Sequence, residues 1–452
     1  EALLTFEKNY PDAKVLLMEE NFRSDARIVL AADRFIQKNT LRHEKHMKAA
    51  RKPASDIREI SLRSRKAQYT YLAKLAEGCT SQTAILYRDN ECILPLVDLL
   101  ERNGIPYQMR NAELSFFSHR TILDIINIIK LAQKPMDTEA FLQIYYKIGT
   151  YLRKQDAIRI ARISEEKRIP VLDVAAEDPD LNGHVLGSVR SMRTHLQNLL
   201  QDSGERALYR IMQYMGYQEY LNRSGLSDSK LEILRILGSR ADSPMELAER
   251  LEQLKVLIRE KEPDRKCPLI LSTIHASKGL EYDSVYLIDV ADGILPESIP
   301  QNLHQASAEE LKAYEEERRL FYVGVTRAKD HLTLFTTNRP STFCSEFLGK
   351  SSVTEEGRKN LMPVESRISR TFKQARPYAA VAGIRQTKAS EELYFRLKEE
   401  LGTGVIVEHK KYGEGVVTQL DDRLVHIMFQ DDTLRMMDLK ILANAGLLKV
   451  KK

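Results

Sequence analysis

The 452-residue sequence has no G-x-x-x-x-G-K-[ST] stretch, so it encodes no phosphate loop of the kind that cradles nucleotide phosphates. Its Gly349-Lys350 pair is followed by Ser351, but Cys344 stands where that motif requires its first glycine. The four cysteines, Cys79, Cys92, Cys267 and Cys344, form no C-x-x-C. That spacing supports neither a zinc site nor a disulfide framework, and a reducing cytoplasm fits it best. No apolar run approaches the roughly 20 residues that span a bilayer. The opening EALLTFEKNYPDAK shows no signal pattern and no initiator Met, as expected of a piece of a longer protein. Charge of one sign is scarce too: 69 Lys and Arg against 64 Asp and Glu give a net charge of +5. Any surface for nucleic acid must therefore be local.

What is present reads as a soluble, globular chain of two to four domains, with 43% hydrophobic and 29% charged residues. AKVLLMEE (13–20), IREISLRS (57–64) and TAILYRDN (83–90) read as buried strands. DARIVLAADRFIQKN (25–39) and AQYTYLAKLAEG (67–78) read as helices between them, an alternation that predicts a parallel α/β sheet. From about Phe117 to Pro263 helical spacing takes over in segments 121–133, 156–167, 206–217 and 244–262. The last opens with a capping box, Ser243 and Glu246, around Pro244. Strand character returns at 269–276, 284–290 and 331–337. Residues 351–400 are polar and charged and read as a linker. Residues 403–439 show short alternating strands broken by Gly413-Glu414-Gly415 and Asp421-Asp422, the pattern of a small SH3-like barrel.

Two segments about forty residues apart carry most of the chemistry: STIHASKGLEYDSVYLIDV (272–290) and EEERRLFYVGVTRAKDHLTLF (315–335). A strand that ends in a loop and then a helix places the loop at the carboxyl edge of a parallel sheet, where ligands usually bind. Residues 269–281 have that plan. Thr273, His275 and Ser277 supply polar groups there, and Gly279 permits close backbone approach. Such groups suit phosphate and sugar contacts, which position a strand without reading its sequence. An ordinary turn with its glycine and polar cap explains the same residues equally well. In RLFYVGVTRAK (319–329) the apolar residues mark a helical face and Arg327 follows Thr326. An arginine there suits charge developing on a transferred phosphoryl group, although alone it reads more simply as a solvated surface residue. In EENFRSD (19–25), Arg23 follows the first strand and Phe22 offers a ring for stacking. The plain reading there is Ser24 or Asp25 as a helix N-cap.

In order and content these segments resemble the UvrD/Rep/PcrA family of superfamily-one helicases. ENFRS (20–24) is similar to the family's motif four, with Phe22 where Tyr is usual. AILYRDN (84–90) and IPYQMRNAELSFF (105–117) follow in the family's order. STIHASKGLEY and EEERRLFYVGVTRAK resemble motifs five and six, and the likeness runs over roughly residues 1–345. The resemblance implies an α/β fold. A RecA-like parallel-sheet motor domain (1–117 and 264–350) would be interrupted by an all-helical insert (118–263). After the linker (351–400) would come a small SH3/Tudor-like β-barrel (401–452).

The resemblance further implies the C-terminal part of an ATP-dependent 3′–5′ DNA helicase of DNA repair or replication, cytoplasmic and associated with the bacterial nucleoid. ATP and Mg²⁺ are the implied cofactors, and single-stranded and forked DNA the implied substrates. Arg23 and Arg327 would reach the γ-phosphate as catalytic groups. Glu281 would bond the ribose, and Phe22 would stack near the adenine. Thr273 and His275 would touch single-stranded DNA, with Tyr87 and Arg88 lining the same track. The phosphate loop, DExx segment and Mg²⁺ ligands would lie before Glu1, so the chain alone is expected not to hydrolyse ATP.

There are departures from the family pattern. Where it has a helix-hairpin-helix grip on duplex DNA, this sequence reads YYKIGTYLRKQ (145–155), with only Lys147 and Gly149 in common character. LIDVADG (287–293) looks like a Mg²⁺-binding strand end, but Val290 replaces the second acid and Asp289 reads as a strand terminus. HKKYGEGVV (409–417) resembles the family's Tudor-like tail, which implies RNA polymerase as a partner through Lys410, Lys411, Tyr412 and Arg423; the same aromatics would equally fill the barrel's own core. Two other classes compete. One is a non-enzymatic module that keeps the fold and binds single-stranded DNA or RNA polymerase. The other is a helicase–nuclease subunit, opposed by the absence of an Asp…Asp-x-Lys constellation near the C-terminus.

Overall fold

In the computed structural model, residues 1–9, 11–15, 17, 41, 43–44, 55, 111–114, 227–228, 263, 265, 304, 340, 351–396, 398–400, 402–404, 411, 421–423, 430–433, 440–441, 443–446 and 451–452 lie outside the described residues. The remainder falls into two compact units, one within 1–361 and one within 362–452. No helix among the described residues is long and apolar enough to cross a membrane.

The first unit is built on a parallel sheet. Its described strands are β3 (Arg58–Leu62), β4 (Thr83–Tyr87), β5 (Gln108–Met109), β6 (Leu269–Thr273), β7 (Tyr282–Leu287) and β8 (Ala328–Thr337), after a short pair, β1 (Glu20–Asn21) and β2 (Lys48–Ala49). The order across the sheet is β3-β8-β7-β4-β6-β5, and every pairing is parallel. β4 and β6 are buried along their whole length, as expected of strands covered on both faces. Successive side chains alternate between two cores. Ile85, Tyr87, Leu269, Leu271 and Phe335 join one, while Ala84, Leu86, Ile270, Leu287 and Leu334 join the other.

The second of these cores lies under helix α1 (Ala26–Ile36) and two later helices, Ala308–Val325 and Thr342–Leu348. Phe35, Phe321, Phe343 and Phe347 meet there, with the Arg318 guanidinium over the Phe35 and Phe343 rings. The first core lies under α2 (Arg65–Glu77) and α3 (Leu94–Arg102) and runs without a break into helices of the 118–263 region, to Ile258. The chain leaves the sheet after β5 and returns at β6, the strand beside it. Between them the described elements are helices, including α5 (Arg120–Gln133), α12 (Ser229–Gly238) and α13 (Pro244–Glu260), where α4 to α11 are the preceding helices of the region in chain order.

Several expectations need correction. Of AKVLLMEE (13–20), the described residues are strand only at Glu20, and Leu16 and Met18 are exposed rather than buried. Ser243 caps α13 as expected, accepting from the Glu246 amide. Glu246, however, accepts from Asp242 N rather than from Ser243 N, so the reciprocal box is not formed. A full capping box is formed instead by Ser307 and Glu310. No α-helix follows β6; eight residues, 274–281, lead to β7, the first six of them in turns. In keeping with the departure from the family's duplex grip at 145–155, Lys147 is 3% exposed and its Nζ donates to Asp124 Oδ1 at 2.5 Å, so it is not placed to grip a phosphate. Gly349 is the left-handed C-cap of the helix Thr342–Leu348, and Lys350 pairs with Glu59.

In the second unit a five-stranded antiparallel sheet runs β12-β11-β10-β9-β13, from β9 (Ile406–His409), β10 (Gly413–Leu420), β11 (Leu424–Phe429), β12 (Leu434–Asp438) and β13 (Leu448–Val450). Gly413 has φ +75° at the β9–β10 hairpin, a conformation that favours glycine. The Tyr412 ring stacks on buried His409 at 4.7 Å and packs on this unit's own core. Lys411, Arg423, Asp421-Asp422 and all but Leu397 of the 351–400 linker lie outside the described residues.

Candidate functional site

The strongest constellation sits at the amino edge of β7 and β8. The helix Ala308–Val325, α14, ends against the sheet at Gly324, where an added Cβ would lie within 3.5 Å of Leu287 and Ile274 side chains. Thr326 caps the helix and Arg327 occupies the turn before β8. It therefore lies beyond the helix rather than on its surface. Arg327 Nε donates to Val323 O at 3.1 Å and Nη1 to Leu280 O at 2.9 Å. These bonds tie the helix end to the turn that precedes Glu281. The Tyr282 amide completes the link by donating to Arg327 O.

Arg23 arrives from the other end of the sequence. Asn21 Oδ1 accepts from the Arg23 and Ser24 amides, which bends the chain out of β1. Ser24 Oγ donates to Ala328 O at 2.7 Å and Asp25 N to Lys329 O at 2.8 Å, so residues 23–25 lie along the start of β8. Asp25 also caps α1; the N-cap reading and the site reading hold together. Arg23 Nε donates to Glu281 Oε2 at 2.7 Å, and Lys329 Nζ lies 3.3 Å from Glu281 Oε1. The bond from Arg23, then that from Lys329, holds the Glu281 carboxyl below its usual range. Burial pulls the Arg327 guanidinium below the ordinary arginine value, and the nearby charge of Arg23 adds to this. The pair Arg23–Glu281 is about 33% and 46% exposed, so its worth to stability is small, ~0–1 kcal/mol.

Two guanidiniums thus converge from segments some three hundred residues apart, and both keep Nη groups without a partner among the described residues. That donor set fits a phosphate presented from outside this sheet edge. Phe22, next to Arg23, is 70% exposed and leaves a ring face open to solvent. Among the described residues no group of three or more His, Cys, Asp and Glu is arranged to hold a metal ion. Two contributors carried no signal of their own in the sequence reading. Lys329 follows the arginine motif directly, and Arg51 braces the site by donating to Arg23 O and Asp330 Oδ1.

The other four candidates lie at the opposite, carboxyl edge, where β4 and β6 end side by side with Tyr87 in register with Thr273. His275 is exposed. Thr273 is 9% exposed and its Oγ1 accepts from Ala276 N, capping the turn. Arg88 is held by Glu317 at 2.8 Å, Asp89 at 2.8 Å and Glu297 at 3.2 Å. Tyr87 must be corrected: it is fully buried on the face of β4 turned to the helical region, and burial pushes its phenol up. Its ring cannot line an open track in this conformation. Asp289, two residues past β7, is not a plain strand terminus either. It is fully buried at φ +56° and bonded by Arg65 and Gln68.

Sequence comparison identifies the family. The model of the UvrD-like helicase C-terminal domain matches residues 16–339, which include both edges just described. The chain belongs to the UvrD-like helicase C-terminal domain family. The ATP-dependent DNA helicase PcrA of Staphylococcus epidermidis (strain RP62A) is 25% identical over 456 residues, covering 93% of this chain and 60% of its own. The ATP-dependent DNA helicase Rep of Escherichia coli (strain K12) is 28% identical over 376 residues, covering 76% of this chain and 53% of its own. PcrA of Bacillus subtilis (strain 168) is 26% identical over 388 residues, covering 79% and 50%. The chain spans about half the length of the curated relatives it matches. Within the UvrD-like family assignment, the arginine edge and the Thr273–His275 edge both fall inside the matched segment.

Proposed function

We propose that this chain is the responding half of an ATP-dependent DNA helicase that moves 3′ to 5′ on single-stranded DNA and opens forked duplexes in DNA repair or replication. The observation that carries the reading is the convergence of Arg23, Glu281 and Arg327 at one sheet edge. Arg23 and Arg327 would contact the γ-phosphate of ATP held mainly by a phosphate loop that this sequence lacks, and Glu281 would take the ribose. Phe22 would stack on the adenine. Bound Mg²⁺ would neutralise phosphate charge, with ligands supplied outside these 452 residues. Thr273 and His275 would contact the DNA backbone, with Arg88 behind them. The domain division 1–117 and 264–350 (motor), 118–263 (insert), 351–400 (linker) and 401–452 (SH3/Tudor-like barrel) belongs to this proposal, as does RNA polymerase as a partner of the barrel.

An arginine of this kind contributes ~10³–10⁵ in rate where it stabilises the transferred phosphoryl group. In the full-length protein, Arg327→Ala is expected to lower DNA-stimulated ATP turnover by at least about 10³-fold while DNA affinity stays within about twofold. Turnover near wild type refutes the role. The chain of residues 1–452 by itself is expected to hydrolyse no ATP. A second reading, a helicase-derived module that binds DNA or polymerase without turnover, is favoured by the missing phosphate loop alone. ATP turnover by the full-length protein refutes it.

A further inference from the structure

Arg65 sits where the sheet meets the helical region. Its side chain is 8% exposed and carries one guanidinium between two acids from different parts of the chain. Nε and Nη2 donate to the Asp289 carboxylate at 3.0 and 2.6 Å. Nη1 donates to Glu232 of α12 at 3.3 Å. From the same helix as Arg65, Gln68 closes on Asp289 twice, giving its Nε2 to Oδ1 at 2.8 Å and taking the Asp289 amide at 3.1 Å. Holding one charge so thoroughly is costly, since a buried pair repays its desolvation only with near-complete hydrogen bonding.

What this costly junction connects gives its meaning. Asp289 begins the segment at the carboxyl edge of the sheet that runs on to Glu297. Glu297 pairs with Arg88, and both meet Glu317: Arg88 Nη2 donates at 2.8 Å and the Glu297 amide at 3.4 Å. Glu317 lies on α14, whose far end leads through Thr326 to Arg327 in the turn before β8. Hydrogen-bonded ion pairs therefore link Glu232 in the helical region to Arg65 and Asp289; the chain itself carries on from Asp289 to Glu297, which meets Arg88 and Glu317, and α14 leads from Glu317 to the turn before β8. Continuity alone does not establish coupling; a measured effect of a remote arm does.

We infer that Arg65 is a positioning residue that couples the orientation of the helical region to the sheet edge carrying Arg88, by holding Glu232 and Asp289 at once. The inference rests on the helicase reading above. Removing Arg65 would strand a buried carboxylate, so the informative variant removes the outer arm instead. Glu232 is 40% exposed on a helix, and alanine preserves the helix. Arg339 pairs with the same Glu232 at 3.5 Å from the loop after β8 but touches neither Arg65 nor Asp289, which makes Arg339→Ala the matched control.

The test uses full-length protein on forked DNA and reads base pairs opened per ATP hydrolysed, DNA-stimulated ATP turnover and the melting temperature. Glu232→Ala is expected to lower base pairs opened per ATP by about 2- to 30-fold, the range of measured couplings along such networks. ATP turnover and melting temperature stay near wild type, and Arg339→Ala changes none of the three. An unchanged yield in Glu232→Ala, or an equal loss in both variants, overturns the role of Arg65. A loss that merely tracks a lowered melting temperature overturns it too. A wild-type protein that neither turns over ATP nor opens DNA overturns the functional reading and the relay with it, which separates the two failures.

Discussion

Replacing Arg65 by methionine tests how the buried junction is held together. The Asp289 carboxylate has no solvent exposure and would lose two charge-assisted bonds, keeping the neutral donors of Gln68 at 2.8 Å and, more weakly, Tyr69 at 3.4 Å. Removing one partner of a buried pair in this way costs about 3–5 kcal/mol, because the remaining charge is left uncompensated. Asp289→Asn should cost less, about 1–3 kcal/mol, since Arg65 keeps Glu232 and asparagine tolerates the positive φ. The double variant removes the stranded charge and is expected to recover at least about 2 kcal/mol relative to the sum of the singles, a coupling within the range for contacting residues. Thermal unfolding of residues 1–452, followed by far-ultraviolet circular dichroism, reads this directly. At about 2 °C per kcal/mol for a large unit, Arg65→Met should lower the first transition by ~6–10 °C. A shift under about 2 °C, or a double variant no better than the sum of the singles, would falsify the account of Asp289 as a charge that depends on Arg65.

Other outcomes follow from the same geometry. Carbon-detected NMR titration should place the Glu281 carboxyl below the ordinary glutamate value of about 4.3, and Arg23→Gln should return it toward that value. The sign is that of a depressed acid: the stabilisation from this pair is present above the ordinary pKa and is lost as pH falls through the lowered one. A Glu281 titration indifferent to Arg23 would contradict the 2.7 Å bond. Affinity of the full-length protein for single-stranded DNA should fall steeply with salt, with a log–log slope of about −0.7 per phosphate contacted. A flat salt dependence would shift the weight to base stacking.

Much of the fold was legible because it is written locally. The 3.6-residue spacing of Ile122, Ile125, Ile126 and Ile129 marks α5, and continuous apolar runs mark β4 and β6. Ser243 before Pro244 marks the start of α13. The failures have physical causes. Leu16 and Met18 are apolar enough for a strand, but apolarity does not reveal whether a chain provides something to pack against. Tyr87 sits in a strand buried on both faces, where no polar alternation tells which way a side chain turns. Position within a motif therefore could not reveal that it faces the core. Arg65 and Asp289 are 224 residues apart, and nothing near either one signals the other. Thr273 and His275 lie at the carboxyl edge, where the strand-and-loop plan of the sequence puts them. The short return from β6 to β7 carries Glu281 to the amino edge instead, beside Arg327 before β8 and Arg23 after β1.

That division gives the helix Ala308–Val325 a mechanical meaning. It has 18 residues, about 27 Å of solid α-helix, with Glu317 toward one rim of the sheet and Arg327 just past its tip at the other. A rod of this kind cannot absorb displacement the way a loop does. If a phosphate binds at the arginine edge as proposed, movement of the helix tip would pass through Glu317 to its partner Arg88. Its phase is equally fixed: one residue inserted between Glu317 and Val325 would turn the tip by about 100° relative to the acids behind it. The length and pitch of this helix therefore belong to the proposed site as much as the arginine that follows it.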